Sequence, residues 1–114
     1  MKTFYGSSFM KKEELSEAGI FYPIKLEYYR TWENTDMLSE WNSSKYGIEV
    51  MKTSYLENKT DVEIVEVKDI TGEEKEINEI LDLLRKYQVT PITAEHVIED
   101  LIKGKIGIQD KIEL

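Results

Sequence analysis

The sequence predicts a single α+β domain over residues 1–114, an antiparallel sheet of three to four strands packed against two C-terminal helices. Three observations point there. Eleven of the twelve aromatic residues lie before residue 56, and aromatic and β-branched side chains favour strands. Two segments between residues 24 and 51 alternate apolar and polar with the period of a half-buried strand. Beyond residue 71 the chain is enriched in Glu, Lys and Leu, which favour helices, and apolar residues recur at helical spacing. A chain of 114 residues can bury a real core, and no Pro-, Gly- or Ser-rich linker divides it.

Residues 1–20 read as an edge strand or a mobile arm. Thr3 to Met10 alternates weakly and contains Gly6, Ser7 and Ser8, and a polar connector at Lys11–Leu15 follows. In the next strand Ile24, Leu26, Tyr28 and Trp32 share one face, interrupted by Arg30. Lys25, Glu27, Tyr29 and Thr31 share the other. Glu33-Asn34-Thr35-Asp36 reads as a turn and Met37 to Trp41 as a short helical turn. Tyr46, Ile48 and Val50 alternate with Gly47, Glu49 and Met51 in a second strand. Glu57-Asn58-Lys59-Thr60 reads as a hairpin connection. A third strand spans Val62 to Val67. Its alternation slips between Ile64 and Val65, which predicts a bulge there or burial on both faces.

Thr71-Gly72-Glu73-Glu74 has the Thr-x-x-Glu pattern of a capping box, with Thr71 as N-cap, and Ile77, Ile80, Leu81 and Leu84 form the apolar stripe behind it. That helix is expected to end near Tyr87 or Gln88, ahead of Pro91. Thr93 then reads as the N-cap of a second helix whose stripe is Val97, Ile98, Leu101 and Ile102, with Gly104 as its stop. The last residues, 104–114, read as a tail or a short strand. Ile77, Leu81, Leu84, Val97 and Leu101 are expected to face the sheet.

Charge and composition narrow the function classes. With 15 basic and 23 acidic residues the formal net charge is −8, which argues against nucleic acid as a direct partner because phosphates would be repelled. There is no cysteine, hence no disulfide and no thiolate ligand or nucleophile. The opening Met1–Gly6 is not followed by the apolar run of a signal peptide, and the longest apolar run is far short of a membrane span; a cytoplasmic protein is expected. On that expectation the sequons at Asn42 and Asn58 are discounted.

No Gly-rich phosphate loop and no nucleophile elbow is present. His96 is the only histidine. With Asp100 it forms an i,i+4 pair that would hold a divalent metal only if a third ligand came from another segment, and the sequence identifies none; a surface charge pair is the simpler reading. No cofactor is expected, and an enzyme using His96 with nearby acids is a distant alternative.

The favoured reading is a protein-binding module, an adaptor or regulator. Tyr29, Trp32 and Trp41 are its aromatic contact candidates, because alternation leaves some aromatics of the sheet on an exposed face. Glu73, Glu76 and Asp82 crowd one predicted helix and favour a partner with a basic surface. A row of such carboxylates also admits a nucleic-acid mimic that blocks a DNA-binding protein, although a solvated helix face explains the same charges. An exposed sheet edge would allow two copies to pair.

Tyr46-Gly47-Ile48-Glu49-Val50 and Val89-Thr90-Pro91-Ile92-Thr93, leading into Val97-Ile98-Glu99-Asp100-Leu101, resemble motifs of a family of short, acidic, uncharacterised bacterial proteins of Firmicute type. The resemblance covers roughly residues 24–103. It implies a bacterial, cytoplasmic setting and a strand-strand-helix-helix order, and brings no activity, cofactor or catalytic residue.

Overall fold

The computed structural model describes residues 1–34 and 44–113, with side chains for 1–33 and 45–104. Four strands form one antiparallel sheet in chain order: β1 (Lys2–Met10), β2 (Ile24–Asn34), β3 (Ser44–Tyr55) and β4 (Thr60–Thr71). A single helical turn, α1 (Lys12–Leu15), and a 3-10 turn at Ser16–Ala18 link β1 to β2. Helices α2 (Glu74–Lys86) and α3 (Pro91–Glu113) follow the sheet. The chain is thus α+β, with the two C-terminal helices expected.

Period-two alternation decides the core. Ile24, Leu26 and Tyr28 of β2 and Ile48 and Val50 of β3 are buried under Ile77, Ile80, Leu81 and Leu84 of α2 and Ala94 and Ile98 of α3. Val97 and Leu101 are only half-buried at the margin. Arg30 breaks the apolar face of β2 because it meets the flank of α2 there. Its Nη1 donates to Glu74 Oε1 and to Asn78 Oδ1, each at 3.1 Å. Tyr28, fully buried, donates its hydroxyl proton to the carbonyl of Val89 at 2.8 Å, tying the middle of the sheet to the α2–α3 connection.

That connection is a Schellman motif. Gln88 adopts a left-handed backbone, φ 51°; its N–H donates to the Arg85 carbonyl, and the Val89 N–H donates to Leu84 O at 2.9 Å. Leu84 and Val89, the two residues that the motif brings together, are both buried.

Local expectations differ from the structure at five places. β2 runs through Asn34, so residues 33 and 34 pair with Lys45 and Ser44 instead of turning. The predicted helical turn at Met37–Trp41 lies outside the described residues. Ile64 and Val65 pair regularly with Met51 and Val50, and the irregularity lies further on. There Lys68, Asp69 and Ile70 of β4 bulge opposite Gly47, with Asp69 at φ 55°. Both Ile64 and Val65 are apolar without a bulge because one lies on the face away from the helices.

Thr71 is not the N-cap of α2. It closes β4, and its Oγ1 accepts the N–H of Glu73, the extended residue that precedes the helix, at 3.1 Å. Thr93 is not an N-cap either. α3 begins two residues earlier at Pro91, whose missing N–H has no cost at the first helical position. The Thr90 carbonyl accepts from Thr93 and Ala94 N–H at 3.2 and 2.9 Å. Gly104 does not stop α3, whose backbone continues to Glu113 where a tail or short strand was expected. A helix-interior glycine costs about 1 kcal/mol but ends a helix only when it turns left-handed. Among the described residues, no helix is long and apolar enough to cross a membrane.

Candidate protein-contact face

All of the helical packing falls on one side of the sheet. The molecule is 18 Å across its thinnest dimension, the depth of one helix layer on one sheet. Among the described residues no helix covers the second face, hereafter the bare face, and the strand registers fix which residues lie on it. Phe4, Tyr29, Glu49 and Glu66 form one cross-strand row. Glu27, Met51 and Ile64 form the next, and Phe9, Lys25, Thr53 and Val62 the third.

One end of this face is polar and internally bound. Lys2 reaches from β1 across the Tyr29 ring, 4.6 Å from its centroid, to Glu49 Oε2 at 2.7 Å. Glu49 is thereby a nearly buried carboxylate with its charge met. Phe4 packs edge-on against Tyr29 with centroids 5.7 Å apart. The Tyr29 hydroxyl donates to Glu27 Oε2 at 2.6 Å, and this bond, ahead of desolvation, pushes its pKa up to about 12. Lys68 extends the network to Glu33 and Glu66, at 3.8 and 3.6 Å. The β4 bulge arches over this end. A Cβ on Gly47 would lie 2.5 Å from both Thr31 Oγ1 and Val67 O, so only glycine lets the bulge settle.

The other end is apolar and open. Ile64 and Val62 are 57% and 54% exposed, Phe9 is 55% exposed, and Tyr55, 6.5 Å from Phe9 between ring centroids, is 37% exposed. Half-buried Met51 pairs with Ile64 and joins them. Clustered exposed apolar groups on one face mark a contact surface more than scattered ones do.

The face is also nearly neutral. Lys2, Lys25, Lys45 and Lys68 balance Glu27, Glu33, Glu49 and Glu66, leaving Asp69 of the bulge at the rim. Among the described residues the excess negative charge lies elsewhere.

The residues singled out in the sequence separate accordingly. Tyr29 lies on the bare face, although its ring and hydroxyl are already engaged. Trp32 follows the alternation of β2 onto the helix side, half-buried at the end of the sheet. Its backbone N–H bonds to Met1 O at 3.0 Å. Trp41 lies outside the described residues. The acids of α2 do not form one row. Glu73 precedes the helix, Glu74 binds Arg30, and Asp82 accepts the Tyr5 hydroxyl at 2.6 Å, which raises the Tyr5 pKa. Glu76 turns to the groove between α2 and α3, a space of about 330 Å³ shared with Glu79, Ile80, Leu83, Asp100 and Leu101. His96 and Asp100 are both exposed on α3, and among the described residues no three His, Cys, Asp or Glu side chains converge as a metal site.

Sequence reasoning missed Phe9, Tyr55, Val62 and Ile64. The apparent slip at Ile64–Val65 was their signal, since a strand apolar on both faces beside a single helix layer leaves one apolar face uncovered.

A search of curated proteins and one of solved structures each find no match to the chain. A family model does match: residues 8–104, which contain the end of β1, β2 to β4, α2 and the first part of α3, fit the family of unknown function DUF6514, and the chain belongs to that family.

Proposed function

We propose that this protein is a small protein-binding module, an adaptor or regulator of the bacterial cytoplasm, and that it docks through the bare face of its sheet. One observation carries the reading: the exposed cluster of Phe9, Tyr55, Val62 and Ile64 on an otherwise charge-paired surface. Rigid strands hold these side chains, so little ordering entropy opposes a contact made through them. The near-neutral face favours an apolar partner surface. The basic partner suggested by composition would find its complement on α2 and α3 instead. The dispersed helix carboxylates, two of them bonded to Arg30 and Tyr5, give a phosphate-mimicking row little support.

The test is affinity capture from lysate of the source cell with nuclease present, comparing the natural chain with Ile64→Glu and Glu73→Lys. The expected outcome is a protein retained at high salt by the natural chain and by Glu73→Lys, and lost by Ile64→Glu. Retention by Ile64→Glu together with loss in Glu73→Lys and in high salt would move the contact to the helices.

A further inference from the structure

We infer that the occupant of the bare sheet face is a second copy of this chain, packed face to face across a two-fold axis. This rests on the reading of that face as a contact surface and names its partner.

Charge favours a second copy on this face. The chain carries −8, so two copies repel wherever the excess acids lie. The bare face is the exception, with four lysines, four glutamates and one aspartate at its rim. Stacking the sheets there leaves both acidic helix layers outermost, as far apart as the two-layer fold allows. A partner of opposite charge gains nothing special from a face this balanced, whereas a copy of the same chain avoids a penalty it would meet everywhere else.

The area of the face is also large enough for a dimer. Four strands about 4.8 Å apart and some eight residues long at about 3.3 Å each present roughly 500 Å². Two copies bury about 1,000 Å² between them, the lower bound for a specific interface. Aligned sheets pack about 10 Å apart, a spacing filled by side chains the size of Ile64, Val62, Met51 and Phe9. In a two-fold arrangement each of these residues appears twice, so a modest cluster on one copy becomes a continuous apolar layer.

The test is sedimentation equilibrium of the purified full-length chain from low micromolar to millimolar concentration. It is run beside Ile64→Glu, Ile64→Lys and, as a control on the helix side, Ile92→Glu; Ile92 is 78% exposed on α3. Both positions are exposed, and far-UV circular dichroism verifies that each variant is folded. A concentration-dependent dimer is expected, with its dissociation constant raised at least about tenfold by both Ile64 variants and unchanged by Ile92→Glu. Agreement of the Glu and Lys variants separates loss of apolar contact from added negative charge.

A natural chain that stays monomeric up to millimolar concentration overturns the second copy. The docking reading then stands or falls on the lysate capture, where a different protein lost with Ile64→Glu would keep it. A dimer insensitive to both Ile64 variants also overturns the proposal and places the contact on another surface, such as the free edge of β4.

Discussion

Replacing Gly47 by alanine tests the seat of the β4 bulge. The new methyl group would lie 2.5 Å from Thr31 Oγ1 and 2.5 Å from Val67 O, with Lys68 Cα at 3.2 Å. Each oxygen is about 0.9 Å closer than the 3.4 Å at which ordinary contact begins. The two neighbours differ in their freedom. The Thr31 side chain can rotate away at the cost of a rotamer, about 1 kcal/mol. The Val67 carbonyl belongs to backbone paired with Ile48, and it moves only if the end of the β3–β4 ladder opens. Together these put the cost at about 3 kcal/mol, the upper end for overpacking a tight site. For a chain of this length that lowers Tm by roughly 10–15 °C. Urea and thermal unfolding followed by circular dichroism would measure it. Adding Thr31→Ala should recover about 1 kcal/mol of the loss, because it removes only the yielding neighbour. A Gly47→Ala variant within about 0.5 kcal/mol of the natural chain, or full rescue by Thr31→Ala, would refute the claim that backbone closeness dictates glycine here.

Other outcomes follow from the same geometry. Gln88→Gly should stabilise by about 0.5–1 kcal/mol, seen as a higher urea midpoint with unchanged slope, because it relieves a left-handed backbone at the loss of an exposed bond to Ser8. Tyr28→Phe should cost about 1–2 kcal/mol, since it keeps the ring and leaves the Val89 carbonyl without its donor. Raised tyrosine pKa values mean that the folded state holds these protons more tightly than the unfolded chain does. Their stabilisation is complete below pH 10 and is lost as pH rises through 10 towards 12. The check is unfolding midpoints across that window. A 295 nm titration should show Tyr29 ionising near 12, and nearer 10 in Glu27→Gln, because the bond to Glu27 is the leading cause of its shift.

Most of the fold was legible in the residues. β2 and β3 announced themselves by alternation, and α2 by a stripe that the structure buries completely at Ile77, Leu81 and Leu84. Caps were harder to read because hydroxyls serve turns as readily as helices. Thr71 caps a turn, and Pro91 rather than Thr93 opens α3. The bulge at 68–70 carries no distinctive local signal, since its cause is the close approach of Gly47 from the neighbouring strand. The candidate site was only half legible. Alternation assigns Tyr29 and Ile64 to a face, but whether helices cover one side of a sheet or both depends on long-range packing. That single global fact leaves Phe9, Val62 and Ile64 at the surface.

The agreement of strand order with chain order has a kinetic consequence. Every strand pair in the sheet joins neighbours along the chain, so the hairpins β2–β3 and β3–β4 can close early and independently of the helices. The contacts that span the sequence, Tyr28 to Val89 at 61 residues and Tyr5 to Asp82 at 77, can form only once α2 docks. Such latches strengthen the native state after the rate-limiting barrier has been crossed. Removing the Tyr28 latch should therefore hasten unfolding and leave the folding rate nearly untouched. The sheet sets how fast this molecule folds, and the two tyrosines that clasp the helices to it set how long it stays folded.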